Sequence, residues 1–157
     1  LYEYKRAAAA AFIRANDLNR IVYSGGPSPK LGIITVGKSY LDVRQALDDI
    51  GIDEKRANKI GVRLFKIGCV WPIPRDELLE FAAGLDLIIV VEEKRSLIEV
   101  QVREELYGSQ AQPMVIGKKD EQEEPPPSGA RVGSPGQGTG KEKDRDALMK
   151  KYPALRK

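Results

Sequence analysis

Apolar positions along this chain change period several times before residue 120 and then almost disappear. The opening segment LYEYKRAAAAAFIRAN is Ala-rich and predicts a helix, with Tyr4, Ala8, Phe12 and Ala15 on one inward face at helical spacing. Arg20–Tyr23 (RIVY) predicts a short strand, closed by the turn-rich SGGPSPK. Leu31–Val36 (LGIITV) is an apolar run too short for a helix and rich in β-branched residues, which predicts a central buried strand. A helix follows from Ser39 to Ile50 with Val43, Ala46, Leu47 and Ile50 inward, then a second short one over 53–60. Val62–Ile67 is the next strand, and CVWPIP a loop. Pro74 occupies the first position of a helix that runs to Ala83, with Leu78, Phe81 and Ala82 inward and Gly84 ending it. Leu85–Val91 (LDLIIVV) is the strongest strand pattern. Leu97–Tyr107 carries Ile98, Val102 and Leu106 in one helical row, and Gln112–Ile116 supplies the last strand.

Strands alternating with helices of this length imply crossover connections, with helices covering both faces of a largely parallel sheet. The expected class is therefore α/β, in three layers (α/β/α), with about five strands. From residue 120 onward, 38 residues contain 5 Pro and 5 Gly and almost no apolar side chain before Leu148, too few to offset chain entropy by burial. The expected organisation is a connecting helix from a preceding domain over residues 1–18, an α/β domain over 19–119, and a Pro/Gly-rich tail over 120–157. Residues 120–142 read as linker, and 143–151 carry the pattern of a short helix. Starting at Leu1 inside a helical pattern, the chain reads as a fragment of a longer polypeptide.

Composition removes several kinds of chemistry. No run approaches the roughly 18 apolar residues of a membrane span, and no signal peptide is visible. A single Cys (Cys69) leaves no internal disulfide and no thiolate cluster supplied by this chain alone. There is no His, so imidazole acid–base catalysis and His metal ligation are excluded. Residues 1–119 carry 18 Lys/Arg against 16 Asp/Glu, and residues 120–157 carry 8 against 7. The signs are interspersed, without the concentrated basic face and interleaved aromatics of a nucleic-acid binder.

One stretch, GIITVGKS over residues 32–39, matches the phosphate-loop pattern G-x-x-x-x-G-K-[ST]. In a phosphate loop the strand precedes the first Gly, and the variable residues bend to aim backbone N–H groups at phosphate. Here the variable residues are Ile33, Ile34, Thr35 and Val36, all suited to extended backbone and resistant to the φ reversals of an anion-binding nest. The match is to the letters and not to the geometry. GSPGQGTGK in the tail fails even by letters, with Pro135 and Glu142 at the positions that should be Gly and Ser/Thr.

Ser39-x-x-Asp42 and Ser96-x-x-Glu99 both have the form of a capping box at a helix start. Both follow strands, so two strand-to-helix turns open on the carboxyl edge of the sheet, where ligands of open α/β sheets sit. Gly37, Lys38, Glu92, Glu93, Lys94 and Arg95 lie on that edge, bordered by Trp71. They read as solvated charges closing turns or, more sharply, as an interface or ligand edge with Trp71 as an anchor. Cys69 has no activating base nearby in sequence and reads as a buried, inert thiol.

The segments VGKSYLDVRQALDDIGID, RLFKIGCVWPIP and LDLIIVVEEKRSLIEVQVREELY together resemble the indolepyruvate ferredoxin oxidoreductase family, thiamine-diphosphate-dependent 2-oxoacid:ferredoxin oxidoreductases. The resemblance covers roughly residues 1–119, and its most specific parts are the VVEEKRSLIE turn and the VWPIP loop. It implies the domain similar to the transketolase C-terminal domain, with a mixed sheet of order 1-3-2-4-5 and the first strand antiparallel, so that RIVY and LGIITV are not hairpin partners. It also implies a cytoplasmic, homodimeric parent enzyme that uses ferredoxin as electron acceptor. The parent's thiamine diphosphate, magnesium and iron–sulfur clusters would lie on other domains or subunits. This chain has no cluster cysteines and no G-D-G motif, and no catalytic residue can be carried onto it. Two functions follow as expectations: a non-catalytic assembly domain, or a small-molecule-binding module taking coenzyme A or a nucleotide on Lys38, Lys94 and Arg95.

Overall fold

Strand β2 (Leu31–Val36) occupies the middle of the sheet because both of its faces are apolar. In the computed structural model, which describes residues 2–109 and 112–118, Ile34 points into one layer while Leu31 and Ile33 point into the other. Around it are β1 (Arg20–Ser24), β3 (Val62–Ile67), β4 (Leu87–Val91) and β5 (Met114–Ile116), in the order β1-β3-β2-β4-β5. β2 pairs in parallel with β3 and β4, β4 pairs in parallel with β5, and β1 runs antiparallel along β3. This is the order and the polarity that the family resemblance implied, and RIVY and LGIITV are indeed separated by β3.

The helices are α1 (Tyr2–Ala15), α2 (Ser39–Asp49), α3 (Glu54–Ile60), α4 (Arg75–Ala82) and α5 (Leu97–Leu106). Two apolar clusters flank the sheet. On the α4/α5 face, Ile34, Phe65, Ile67, Ile88 and Val90 meet Leu78, Phe81, Ile98 and Val102. On the α2/α3 face, Tyr23, Val62 and Leu64 meet Leu47 and Ala57, with Ile33, Tyr40 and Val43 around them. The first glycine of the phosphate-loop match is a packing residue. A Cβ on Gly32 would stand 2.5 Å from Leu85 Cδ1 and 2.7 Å from the Phe81 ring. That ring in turn stacks on Phe65 at 5.1 Å.

Arg63, on β3, ties three elements together. Its guanidinium donates to the carbonyls of Ser24 at 2.8 Å and Ala83 at 3.1 Å, and to that of Phe81, so it satisfies orphan carbonyls at the end of α4. Burial lowers its pKa from the ordinary arginine value, against the opposing field of Glu80, and the group stays charged.

Several sequence expectations are corrected. In α1 the inward residue is Ile13, flanked by the half-buried Ala9 and Ala10, whereas Tyr4 (77% exposed) and Phe12 (62%) face out with Ala8 and Ala15. A run of alanines has no dominant apolar stripe, so partners decide the seat. Arg6 pairs with Glu105 and Arg14 with Asp76, turning the small residues toward Ile73 and Pro74. In α2, Val43 and Leu47 face the sheet as expected, but Ala46 and Ile50 are exposed and Tyr40 takes the inward place at the first turn. Pro74 is the N-cap of α4 rather than its first helical residue. β4 begins at Leu87 and not Leu85, because the Leu85 N–H still closes the turn after α4 by donating to the Ala82 carbonyl. β5 is only three residues long. The predicted linker, the 143–151 helix and the GSPGQGTGK segment lie outside the described residues.

Candidate functional site

Four strand exits share one edge. Val36 is level with Ile67 in the β2–β3 ladder, and Thr35 with Val91 in the β2–β4 ladder, so the turns after β2, β3 and β4 open side by side. β5 leaves at the same edge through Gly117 and Lys118. The candidate residues Gly37, Lys38, Trp71, Glu92, Glu93, Lys94 and Arg95 are thus gathered on the carboxyl edge. They then divide between layers: the β2 exit feeds α2 on one face, while the β3 and β4 exits feed α4 and α5 on the other.

The β4–α5 turn is not a capping box. Ser96 is the N-cap by position but makes no side-chain cap bond. Glu92 does that job from five to seven residues away: one carboxylate oxygen accepts from the N–H groups of Leu97 at 2.9 Å and Ile98 at 3.0 Å, the other from Glu99 at 3.2 Å. A carboxylate over these donors satisfies orphan groups and complements the positive helix end. Glu99, expected to complete the box, is 1% exposed and turned inward. It accepts from the Lys118 N–H at 2.9 Å and from Arg103 at 3.0 and 3.2 Å, and it fills the space a Cβ on Gly117 would need. Glu92 therefore belongs to the scaffold. Glu93, Lys94 and Arg95 are exposed, and the Lys118 ammonium donates to the Lys94 carbonyl.

The β2–α2 turn is not a capping box either. Gly37 takes φ +55°, and Lys38 is already helical, so Ser39 falls inside the first turn and forms no side-chain cap bond. A cap hydroxyl needs extended backbone to reach the N–H groups ahead of it. Here Tyr40 and Leu41 donate instead to the carbonyls of Gly37 and Lys38. Ile33 to Val36 lie in the sheet ladders, so the match GIITVGKS is a paired strand with a glycine turn after it.

The β3 exit presents Trp71, half-exposed at 50%, and Val70, and on α5 Leu97 and Val100 are also open to solvent. Two amide side chains that sequence reasoning passed over hold this loop. Asn19 accepts from the N–H groups of Gly68 at 3.0 Å and Cys69 at 3.1 Å while donating to Glu77 at 2.9 Å. Gln101 donates to the Val70 carbonyl at 2.9 Å and accepts from the Ile73 N–H at 3.3 Å. Only a buried polar residue before the first strand (Asn19) and a lone Gln in an apolar helix row hinted at them. Cys69 is half-buried rather than buried, and its thiol lies 3.4 Å from the Trp71 carbonyl. Among the described residues no group of three or more His, Cys, Asp or Glu is placed to hold a metal ion, and no helix is long and apolar enough to cross a membrane.

The class these features define is an open three-layer α/β domain whose mixed sheet gathers its strand exits on one apolar and charged edge. The chain belongs to the indolepyruvate oxidoreductase domain family, whose sequence model matches residues 21–127. It is 37% identical over 79 residues to indolepyruvate oxidoreductase subunit IorA of Pyrococcus horikoshii, a match covering 50% of this chain and 11% of that protein. To subunit IorA of Thermococcus kodakarensis it is 32% identical over 94 residues, covering 60% of this chain and 13% of that protein. The matched stretch is thus a small part of these relatives' length. Among solved structures, a 2-oxoglutarate:ferredoxin oxidoreductase from Magnetococcus marinus aligns with a TM-score of 0.45 at 22% identity, covering 63% of this chain and 16% of that one. A split-gene transketolase in an inactive β4 tetramer gives a TM-score of 0.45 at 19% identity, covering 65% of this chain and 32% of that one.

Proposed function

We propose that this chain is a non-catalytic structural and assembly domain of a thiamine-diphosphate-dependent indolepyruvate (aryl 2-oxoacid):ferredoxin oxidoreductase. The parent enzyme, cytoplasmic and homodimeric, oxidatively decarboxylates the 2-oxoacid with coenzyme A. It releases an acyl-CoA thioester and passes the electrons to ferredoxin. Thiamine diphosphate, magnesium and the iron–sulfur clusters sit on other domains or subunits. Family membership supports the parent reaction, since the relatives that match are indolepyruvate oxidoreductase subunits. The observation that carries the assembly role is the half-exposed Trp71 on a loop that Gln101 ties through the Val70 carbonyl to α5, where Leu97 and Val100 are also open to solvent. A half-exposed Trp on a hydrogen-bonded loop is the kind of anchor that buries against a neighbouring domain.

Calorimetry of the 157-residue chain with thiamine diphosphate and magnesium tests the non-catalytic assignment. The expected result is no tight binding, and stoichiometric tight binding overturns it. In the full-length oxidoreductase, Trp71→Asp is expected to weaken assembly on size-exclusion chromatography. An unchanged elution profile and activity would remove Trp71 from the interface.

A second reading, coenzyme A or a nucleotide bound along the edge, is favoured by one observation: Lys38, Lys94 and Arg95 are all exposed with no ion pair to a described carboxylate. Thermal stabilisation by coenzyme A or ATP that is lost in Lys94→Ala would support it.

A further inference from the structure

On the α2/α3 face, just below the carboxyl edge, two cations share one aromatic ring. The Lys66 ammonium lies 4.9 Å from the centre of the Tyr40 ring, and the Arg44 guanidinium lies 5.8 Å from the same centre. Arg44 also stacks on Tyr23 at 5.3 Å and donates through one terminal nitrogen to the Tyr40 hydroxyl at 2.9 Å. All three side chains are half-buried. Arg20, the ladder partner of Lys66, adds a third positive charge at the same level of the sheet.

No carboxylate among the described residues lies within ion-pair distance of Lys66 or Arg44. The field of Asp48 reaches Arg44 without forming a bridge, and the Tyr40 hydrogen bond is the main cause that raises the Arg44 pKa. The Arg44 Nε is buried with no hydrogen-bond partner. Of the domain's other arginines, Arg6, Arg14 and Arg103 are paired with carboxylates and Arg63 with carbonyls. Lys66 and Arg44 differ from the unpaired charges of the carboxyl edge in being half-buried. Two like charges held against one ring repel each other, and a doubly charged anion that reached both would relieve that repulsion.

We propose that Lys66, Arg44 and Tyr40 form a binding site for the phosphate group of a small phosphorylated ligand. The donor set suits phosphate. The Lys ammonium and the second terminal nitrogen of Arg44 have no described acceptor. The Tyr40 oxygen accepts from Arg44, which leaves its own O–H to donate elsewhere. Three donors from three side chains match a tetrahedral, multiply charged oxyanion better than a planar carboxylate, which a single arginine can satisfy in bidentate fashion. The site owes nothing to the GIITVGKS pattern: its groups are side chains on β3 and α2, not a loop of backbone N–H. It is independent of the assembly role and sits on the other face of the sheet from α4 and α5.

The test is titration of the 157-residue chain with inorganic pyrophosphate, followed by calorimetry and by broadening of the pyrophosphate ³¹P resonance. Saturable one-site binding is expected, weakening as salt is raised. Lys66→Met, which keeps an apolar contact with the Tyr40 ring, should lower affinity about tenfold, as loss of one charge-assisted contact does. Lys66→Arg should largely restore it, and Lys94→Ala should leave it unchanged. Coenzyme A and ATP should compete with pyrophosphate, and acetate should not. Circular dichroism melting verifies that each variant is folded. Absence of saturable binding overturns the site, as does equal weakening by Lys66→Met and Lys94→Ala, which would indicate diffuse charge. A weak thiamine diphosphate response that Lys66→Met abolishes belongs to this site. Tight thiamine diphosphate binding indifferent to Lys66→Met would instead overturn the non-catalytic assignment.

Discussion

Two turns lead from the central strands into helices at the same edge, and they solve the same problem in different ways. After β4, a carboxylate from the strand end, Glu92, accepts three N–H groups of α5, while Glu99 is drawn inside to bind Arg103 and the chain leaving β5. After β2, no side chain caps α2. A left-handed Gly37 and two short-range backbone bonds close the turn instead. In sequence the two junctions look alike, each a Ser three residues before an acid. The difference teaches that a capping box is decided by where the helix begins. A shift of one residue moves Ser39 into the helix, and a competing carboxylate displaces Ser96.

The comparison breaks most visibly at Glu99. Its removal leaves the Lys118 N–H and the Arg103 guanidinium without their shared acceptor inside the protein. Glu99→Ala is expected to destabilise the domain by about 3 kcal/mol, the low end for a broken buried pair because Arg103 reaches solvent. Urea unfolding measures it, and a loss below about 1 kcal/mol would mean that water replaces the carboxylate freely. Next comes Gly32, where the β2 junction hides its own constraint. Gly32→Ala should cost about 2 kcal/mol, since its Cβ collides with Phe81 and Leu85 and both rings of the Phe65–Phe81 stack must move. If Gly32→Ala is neutral, the first glycine of the pattern is not held by packing.

Glu92→Ala should follow at about 1.5 kcal/mol, the range of a lost N-cap combined with a lost charge at the helix end. Amide hydrogen exchange at Leu97, Ile98 and Glu99 should quicken, while α2 amides stay as they were. Glu92→Gln should lie between, keeping acceptors but not charge. Equal exchange in wild type and Glu92→Ala would show that Ser96 takes over as the cap.

Strand positions, helix order and the layered class were legible because apolar runs such as LGIITV and LIIVV fit only buried strands. The row Ile98, Val102, Leu106 fits only one helix face. Sheet order was not in the periodicity: the β1–β3 pairing joins residues some forty apart, and the family resemblance supplied it. The seat of α1 was misread since five consecutive alanines place apolar side chains all round the helix, and ion pairs with Asp76 and Glu105 accompany the face it buries. At the edge, the gathering of Lys38, Trp71 and Glu92–Arg95 was readable from strand ends. The work of Asn19 and Gln101 was not, since a side chain that bonds backbone 28 or 50 residues away leaves no local signature, and that of Glu92 was hidden by the capping-box pattern of Ser96 and Glu99. The same holds for Lys66 and Arg44, which meet only because β3 and α2 bring them to one ring.

The smallest effect is expected at the residues the pattern made most prominent. Ser39→Ala and Asp42→Ala should each change stability by less than about 0.5 kcal/mol, because neither side chain caps α2 and the turn is closed by backbone. A loss of about 1 kcal/mol or more at Ser39, matching that at Glu92, would restore the capping box and erase the difference between the two turns. Lys38→Ala extends the test to chemistry. The wild-type chain incubated with ATP and magnesium should release no phosphate above buffer, and Lys38→Ala should behave identically. Release that vanished with Lys38 would mean that β2 can leave the sheet far enough to turn its N–H groups on a nucleotide. The ladders on both sides of Ile33 to Thr35 oppose that motion, since every residue freed would give up pairing with β3 and β4 together.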